Sequence, residues 1–154
     1  MWQRKQTIFL ALTALSLFAM IFFPIWVSSG DEPTLTLTPL SLASASPTDK
    51  SETFFPYAWV TVIFAAAATT AITSIAKFNN RLLQLKLGLL NSALLAAGIF
   101  LMVYLAADLI KEQRPPGKYG ISLFLPAGAM IFNMIANFFI RRDERLVRDS
   151  DRLR

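Results

Sequence analysis

At 154 residues the chain is sized for one domain, and it is 55% hydrophobic but only 16% charged, against about 25% charged in an average soluble domain. It has no Cys and no His, which excludes disulfides, thiolate nucleophiles, cysteine metal sites and the usual imidazole base. The net charge of +5 admits a nucleic-acid binder, but the placement of the cations gives a simpler account below.

The first apolar block covers residues 7–27 (TIFLALTALSLFAMIFFPIWV). Arg4 and Lys5 ahead of it also describe a signal peptide. The block is too long for a signal core, however, and it closes on Phe22, Phe23, Pro24, Ile25 and Trp26 rather than on small residues. A retained span is therefore expected, bent or ended by Pro24. Residues 28–56 follow, rich in Ser, Thr and Pro, and read as a solvated, flexible connector. Within them Thr34, Leu35, Thr36, Leu37 and Thr38 alternate with period two, which predicts a short strand limited by Pro39.

Three further apolar blocks lie at 57–76, 87–110 and 121–140, separated by polar loops at 77–86 and 111–120. About 20 residues at roughly 1.5 Å each cross a hydrocarbon core of about 30 Å. Backbone groups in lipid must be satisfied within the segment, so each block is predicted helical. The final segment, 141–154 (RRDERLVRDSDRLR), is highly charged.

Lys and Arg set the orientation. With the N-terminus inside, eleven cations (Arg4, Lys5, Lys77, Arg81, Lys86 and the six arginines of 141–154) lie inside with four acids, a net of +7. Only Lys50, Lys111, Arg114 and Lys118 lie outside, with six acids, a net of −2. The basic character is thus a topology signal, and no nucleic-acid partner is expected. Trp2, Trp26, Tyr57, Trp59, Tyr104 and Tyr119 fall near span ends, the depth at which amphipathic rings settle.

Polar residues within the spans are the candidates for chemistry. Asn133 and Asn137 share one helix face, Asn91 and Ser92 lie in the third span, and Thr69, Thr70, Thr73 and Ser74 in the second. One reading is a polar lining for a small solute; the other is interhelical hydrogen bonding, worth about 0.6 kcal/mol per contact on average. Ala65–Ala68, Gly88, Ala96, Ala97, Gly98 and Ala127–Ala129 would allow close helix approach. Pro126 is expected to kink the fourth span. Asp108 is the deepest acid, yet within about a turn of Lys111 and Glu112, so it is placed at the interface rather than in a proton path.

The charged end is the most distinctive segment. Glu144 with Arg148 and Arg145 with Asp149 are four apart, and Leu146 and Leu153 share a face with Val147 beside them. The fourth span is therefore expected to continue as a helix, either near anionic headgroups or docked on a protein.

The start, Met1-Trp2-Gln3-Arg4-Lys5-Gln6-Thr7, and the end, Arg142-Asp143-Glu144, Leu146-Val147-Arg148 and Asp151-Arg152-Leu153-Arg154, resemble the family of Bacteroidota membrane proteins termed domain of unknown function 4293. Between these ends the match lies in four spans of similar length and order. Asp149 departs from the small residue more usual there. The resemblance implies the inner membrane of a didermal bacterium and carries over no catalytic residue.

The expected fold is all-α: one integral-membrane four-helix bundle over 1–154 with a helical, charged cytoplasmic tail and both termini in the cytoplasm. The expected function is that of a non-enzymatic accessory or scaffold protein without a cofactor. Its partners are the bilayer and a membrane or cytoplasmic protein bound through Arg142, Asp143, Glu144, Arg148, Asp151 and Arg152. The alternative is a small-solute channel or transporter, as a homo-oligomer, lined by Asn91, Asn133 and Asn137.

Overall fold

The structure is a computed structural model that describes residues 5–28, 34–46, 50–113 and 117–152, with the side chains of 112, 113 and 147–152 outside the description. Four helices dominate: α1 (Lys5–Met20), α2 (Ala58–Ala76), α3 (Arg81–Gln113) and α4 (Leu125–Arg152). Five short strands join them: β1 (Trp26–Ser28), β2 (Thr34–Leu37), β3 (Leu42–Ala45), β4 (Lys50–Thr53) and β5 (Gly117–Tyr119). The fold is therefore not purely all-α.

The strands form one antiparallel sheet in the order β4-β3-β2-β1-β5. The alternation at 34–38 yields β2, as its period predicts. The segment expected to be a flexible connector instead supplies most of the sheet. Its β3 and β4 (LASA and KSET) carry few large apolar residues, so they pair without an apolar pattern to announce them. The turn between β2 and β3 is closed by Thr38, whose hydroxyl donates to the Ser41 carbonyl at 2.8 Å and accepts the Ser41 N–H at 2.9 Å.

The first apolar block is divided. Helix α1 stops at Met20, seven residues short of the expected end of the span, and the chain turns through Ile21–Pro24 into β1. Pro24 disfavours helical geometry at Phe23 and supplies no N–H. Beyond it, the Ile25 N–H donates to the Leu37 carbonyl at 2.7 Å, and the Ile25 carbonyl accepts the Gly120 N–H at 2.8 Å. The last residues of the block are apolar because they bury in the sheet: Ile25 and Trp26 are almost fully inaccessible. Gly117 on β5 lies flat against the Trp26 indole, where an added Cβ would enter the ring.

Among the described residues three helices, α2, α3 and α4 with the 3-10 turn before it, are long and apolar enough to cross a membrane, and the described part of α1 is an apolar helix of 16 residues, about 24 Å. Pro126 falls in the first turn of α4, where the missing N–H would have no intrahelical partner anyway. It starts the helix and does not kink it. The helices pack in a cyclic order, α1 on α2, α2 on α3, α3 on α4 and α4 on α1.

Every helix buries a seam at spacings of three and four. On α3 the seam is Gln84, Gly88, Asn91, Leu95, Gly98, Met102 and Ala106; on α4 it is Pro126, Ala129, Asn133, Ala136 and Ile140. This spacing keeps one face on its neighbour at a shallow crossing angle. Two glycines set the closest approaches: a Cβ at Gly88 would overlap the Asn137 amide, and one at Gly98 would press on the Phe64 ring. Gly128, expected to serve in the same way, has open space beside it. Ala65, Ala66, Ala96 and Ala97 face outward, while Ala67, Ala68 and Ala129 are buried. At the sheet end, Trp26, Leu35 and Leu37 join Met20, Val60, Met102, Ala106 and Leu109 in one apolar cluster.

Candidate functional site

The seam between α3 and α4 is polar at its centre. The Asn91 amide donates to Asn133 Oδ1 at 2.9 Å, and the Asn133 amide donates to Ser92 Oγ at 2.8 Å and to the Gly88 carbonyl at 3.4 Å. The Asn137 amide donates to the same carbonyl at 3.2 Å. Asn133 is 0% exposed and Asn91 1%. The three asparagines expected to act together are thus brought together, and their amides bond across the two helices.

Four buried side chains outside that expectation extend the polar interior. The Gln6 amide donates to Gln84 Oε1 at 3.5 Å, and the Gln84 amide donates to the Ser74 carbonyl at 2.8 Å. The Thr13 hydroxyl donates to the Phe9 carbonyl at 2.9 Å and reaches the Ala129 carbonyl at 3.4 Å. The Ser122 hydroxyl donates to the Met20 carbonyl at 2.9 Å, which also accepts the Phe23 N–H at 3.3 Å at the end of α1. The sequence held a signal for Gln84: it lies seven residues before Asn91 and four before Gly88, on their face. Gln6 sits in a charged start and had no such partner in sequence.

Thr69, Thr70 and Thr73 each turn their hydroxyl back to the carbonyl four residues earlier, at 2.8 Å. That local bond uses the hydroxyl proton without a neighbouring helix, and Thr69 also borders a groove between α1 and α2. The apolar groove of about 120 Å³ between α1 and α2, bounded by Leu17, Ile21, Phe64, Ala68 and Ile72 among others, does not reach the asparagines. Asp108 is exposed on α3 beside exposed Lys111. Among the described residues, no group of three or more His, Cys, Asp or Glu side chains could hold a metal ion.

The second site is the far end of α4. The helix continues without a break from Ile140 to Arg152. The Arg81 guanidinium at the start of α3 donates to the Asp143 carbonyl at 2.7 Å and ties the emerging helix to its neighbour. Phe138, Arg141, Arg142 and Arg145 line a surface cleft of about 260 Å³. Lys5 on α1 stands over the Phe139 ring, 6.0 Å from its centroid. Among the expected contact residues, Arg142 is exposed and Asp143 and Glu144 are half-buried. The side chains of Arg148, Asp151 and Arg152 lie outside the described residues, although their backbone is helical.

Helices with buried amides, apolar outer faces and sufficient length mark a membrane protein, here one that carries a small antiparallel sheet at one end. The family described as domain of unknown function (DUF4293) matches residues 2–153, nearly the whole chain. The chain belongs to that family. No curated protein matches it.

Proposed function

We propose that the chain is a non-enzymatic accessory or scaffold protein of the bacterial inner membrane. It would be anchored by its helices, with both termini in the cytoplasm, and would bind a protein partner through the helical end of α4. The single observation behind this reading is the continuity of α4: twelve residues run on as helix past Ile140, about 18 Å, braced at their root by Arg81. Such a braced helix carries Arg142, Asp143 and Glu144, and further along its backbone Arg148, Asp151 and Arg152, on one rigid element. A partner therefore meets little ordering cost. The uneven distribution of Lys and Arg supports the orientation.

The channel alternative has less support, because the amides of Asn91, Asn133 and Asn137 donate to one another's helices. The test is purification of the full chain, and of a chain ending at residue 140, from the native membrane in mild detergent. A stoichiometric partner present with the first and missing from the second is the expected result. Identical associations with and without the last fourteen residues would overturn the reading. A homo-oligomer without companions would move the case to solute flux in liposomes, with Asn133→Leu as the control.

A further inference from the structure

Helical spacing gathers Phe138, Arg141, Arg142 and Arg145 on one face of α4, where they bound the same surface cleft. The three guanidiniums stand on that face with only Asp143 and Glu144 between them in sequence, and Arg141, Arg142 and Arg145 are all exposed. Side by side they present a dense array of forked donors. A phosphate complements that array in both charge and geometry.

The same face continues in the other direction as an apolar track. Phe138 is 63% exposed, and Met134 and Ile131 follow it at spacings of four and three, exposed to a similar extent. From Phe138 to Ile131 is seven residues, about 10 Å along the axis, within one leaflet of a bilayer whose core is about 30 Å. The track lies inside the segment long and apolar enough to span a membrane, and the arginines begin at its end. A soluble anion would use only the guanidiniums and leave the track idle. An anionic phospholipid matches both parts.

We infer that Phe138, Arg141, Arg142 and Arg145 form a seat for an anionic phospholipid, with its phosphate on the three guanidiniums and an acyl chain along Phe138, Met134 and Ile131. The seat goes beyond the partner contact, with which it shares Arg142: it lies at the root of the emerging helix and needs none of Arg148, Asp151 and Arg152, which follow Leu146. It also fixes the depth at which α4 leaves the bilayer, together with the Arg81 brace.

The full chain is reconstituted in nanodiscs of equal parts phosphatidylcholine and phosphatidylglycerol, and the lipids that remain bound on release are weighed by native mass spectrometry. Phosphatidylglycerol should be enriched about tenfold over phosphatidylcholine among them. The triple variant Arg141→Gln, Arg142→Gln, Arg145→Gln should lose the enrichment while keeping its helicity. The corresponding triple Arg→Lys variant holds the charge without the fork and should keep only part of it. Phe138→Ala should lower total retention of lipid and leave the headgroup preference.

Truncation after Leu146 removes Arg148, Asp151 and Arg152 from the partner contact but none of the seat, so it should leave the enrichment intact whether or not the protein partner is lost, which separates this inference from the proposed function. Equal retention of both lipids by the native chain, or undiminished enrichment in the Gln variant, overturns the assignment. If millimolar inorganic phosphate strips the bound lipid, the site belongs to a free anion and the lipid assignment falls.

Discussion

The helices and the sheet obey opposite rules of burial. In the helices amides go inside and many large rings outside: Asn133 is 0% exposed while Phe100 is 73% exposed, although Phe64 is buried. In the sheet the order is the ordinary one. Trp26, Leu35 and Leu37 are buried, and the strand Lys50–Thr53 is exposed along its whole length. The inversion reflects two solvents. In hydrocarbon an apolar ring gains nothing by burial, whereas an unpaired amide is costly and must find a partner among the helices. In water the apolar side chains gain by burial and the polar ones need no protein partner.

The contrast is broken most strongly at Trp26, the largest side chain buried at the junction of the two regions. Trp26→Ala should cost about 3–5 kcal/mol, as expected for loss of a large buried ring. Because the ring serves the sheet, limited proteolysis in detergent should open the 29–56 region while circular dichroism shows the helices intact. Equal protease resistance in the variant would show that the sheet does not depend on this ring.

The next effect lies within the helices. At Gly88 any side chain meets the Asn137 amide, so Gly88→Val should cost about 2–3 kcal/mol through overpacking. Thermal unfolding in micelles should record it as an early loss of α3–α4 contact. Gly128→Ala, placed in open space, is the matched control and should unfold like the native chain.

Asn133→Leu comes third. It leaves the Asn91 amide without its acceptor and takes one donor from Ser92, which keeps the Gly88 carbonyl, for about 1–2 kcal/mol. A double variant with Asn91→Leu should cost less than the sum of the single changes, since each partner is already orphaned by the other's loss. Strict additivity would mean that the two amides do not act as a pair. The smallest expected effect is in the sheet: Thr38→Ala removes the hydroxyl that closes the β2–β3 turn, about 1 kcal/mol. Faster hydrogen exchange at the Ser41 amide would report it.

The helical part was largely legible in the sequence, because 20-residue apolar runs have few other uses. The seam positions were legible only in part. Hydropathy is nearly uniform around such helices, so the marks of the interior are small and amide residues: Gly88, Asn91 and Asn133 were visible, whereas Gln6 and Gln84 passed as members of polar ends. The sheet was mostly hidden. Only β2 carries a clean alternation. β1 is concealed in the tail of an apolar block, and β5, of three residues, draws its pairing from Trp26, Val27 and Ser28, about ninety positions earlier. Pairing over such a separation leaves no local trace. The contact role assigned to the charged end stands as a proposal, resting on a helix that the i, i+4 charge spacing anticipated.

The end of α1 has a consequence for the membrane itself. Its last carbonyl is held against the start of α4 by the Ser122 hydroxyl, so this end of the helix cannot slide along its neighbour. Beyond it stands a collar of exposed rings, among them Phe22, Phe55, Trp59 and Phe124. A thick bilayer would draw this collar and the first strand into hydrocarbon; a thin one would leave them at the headgroups. Hydrophobic mismatch of this kind costs a fraction of a kcal/mol per ångström. Local bilayer thickness thereby becomes a force on the sheet.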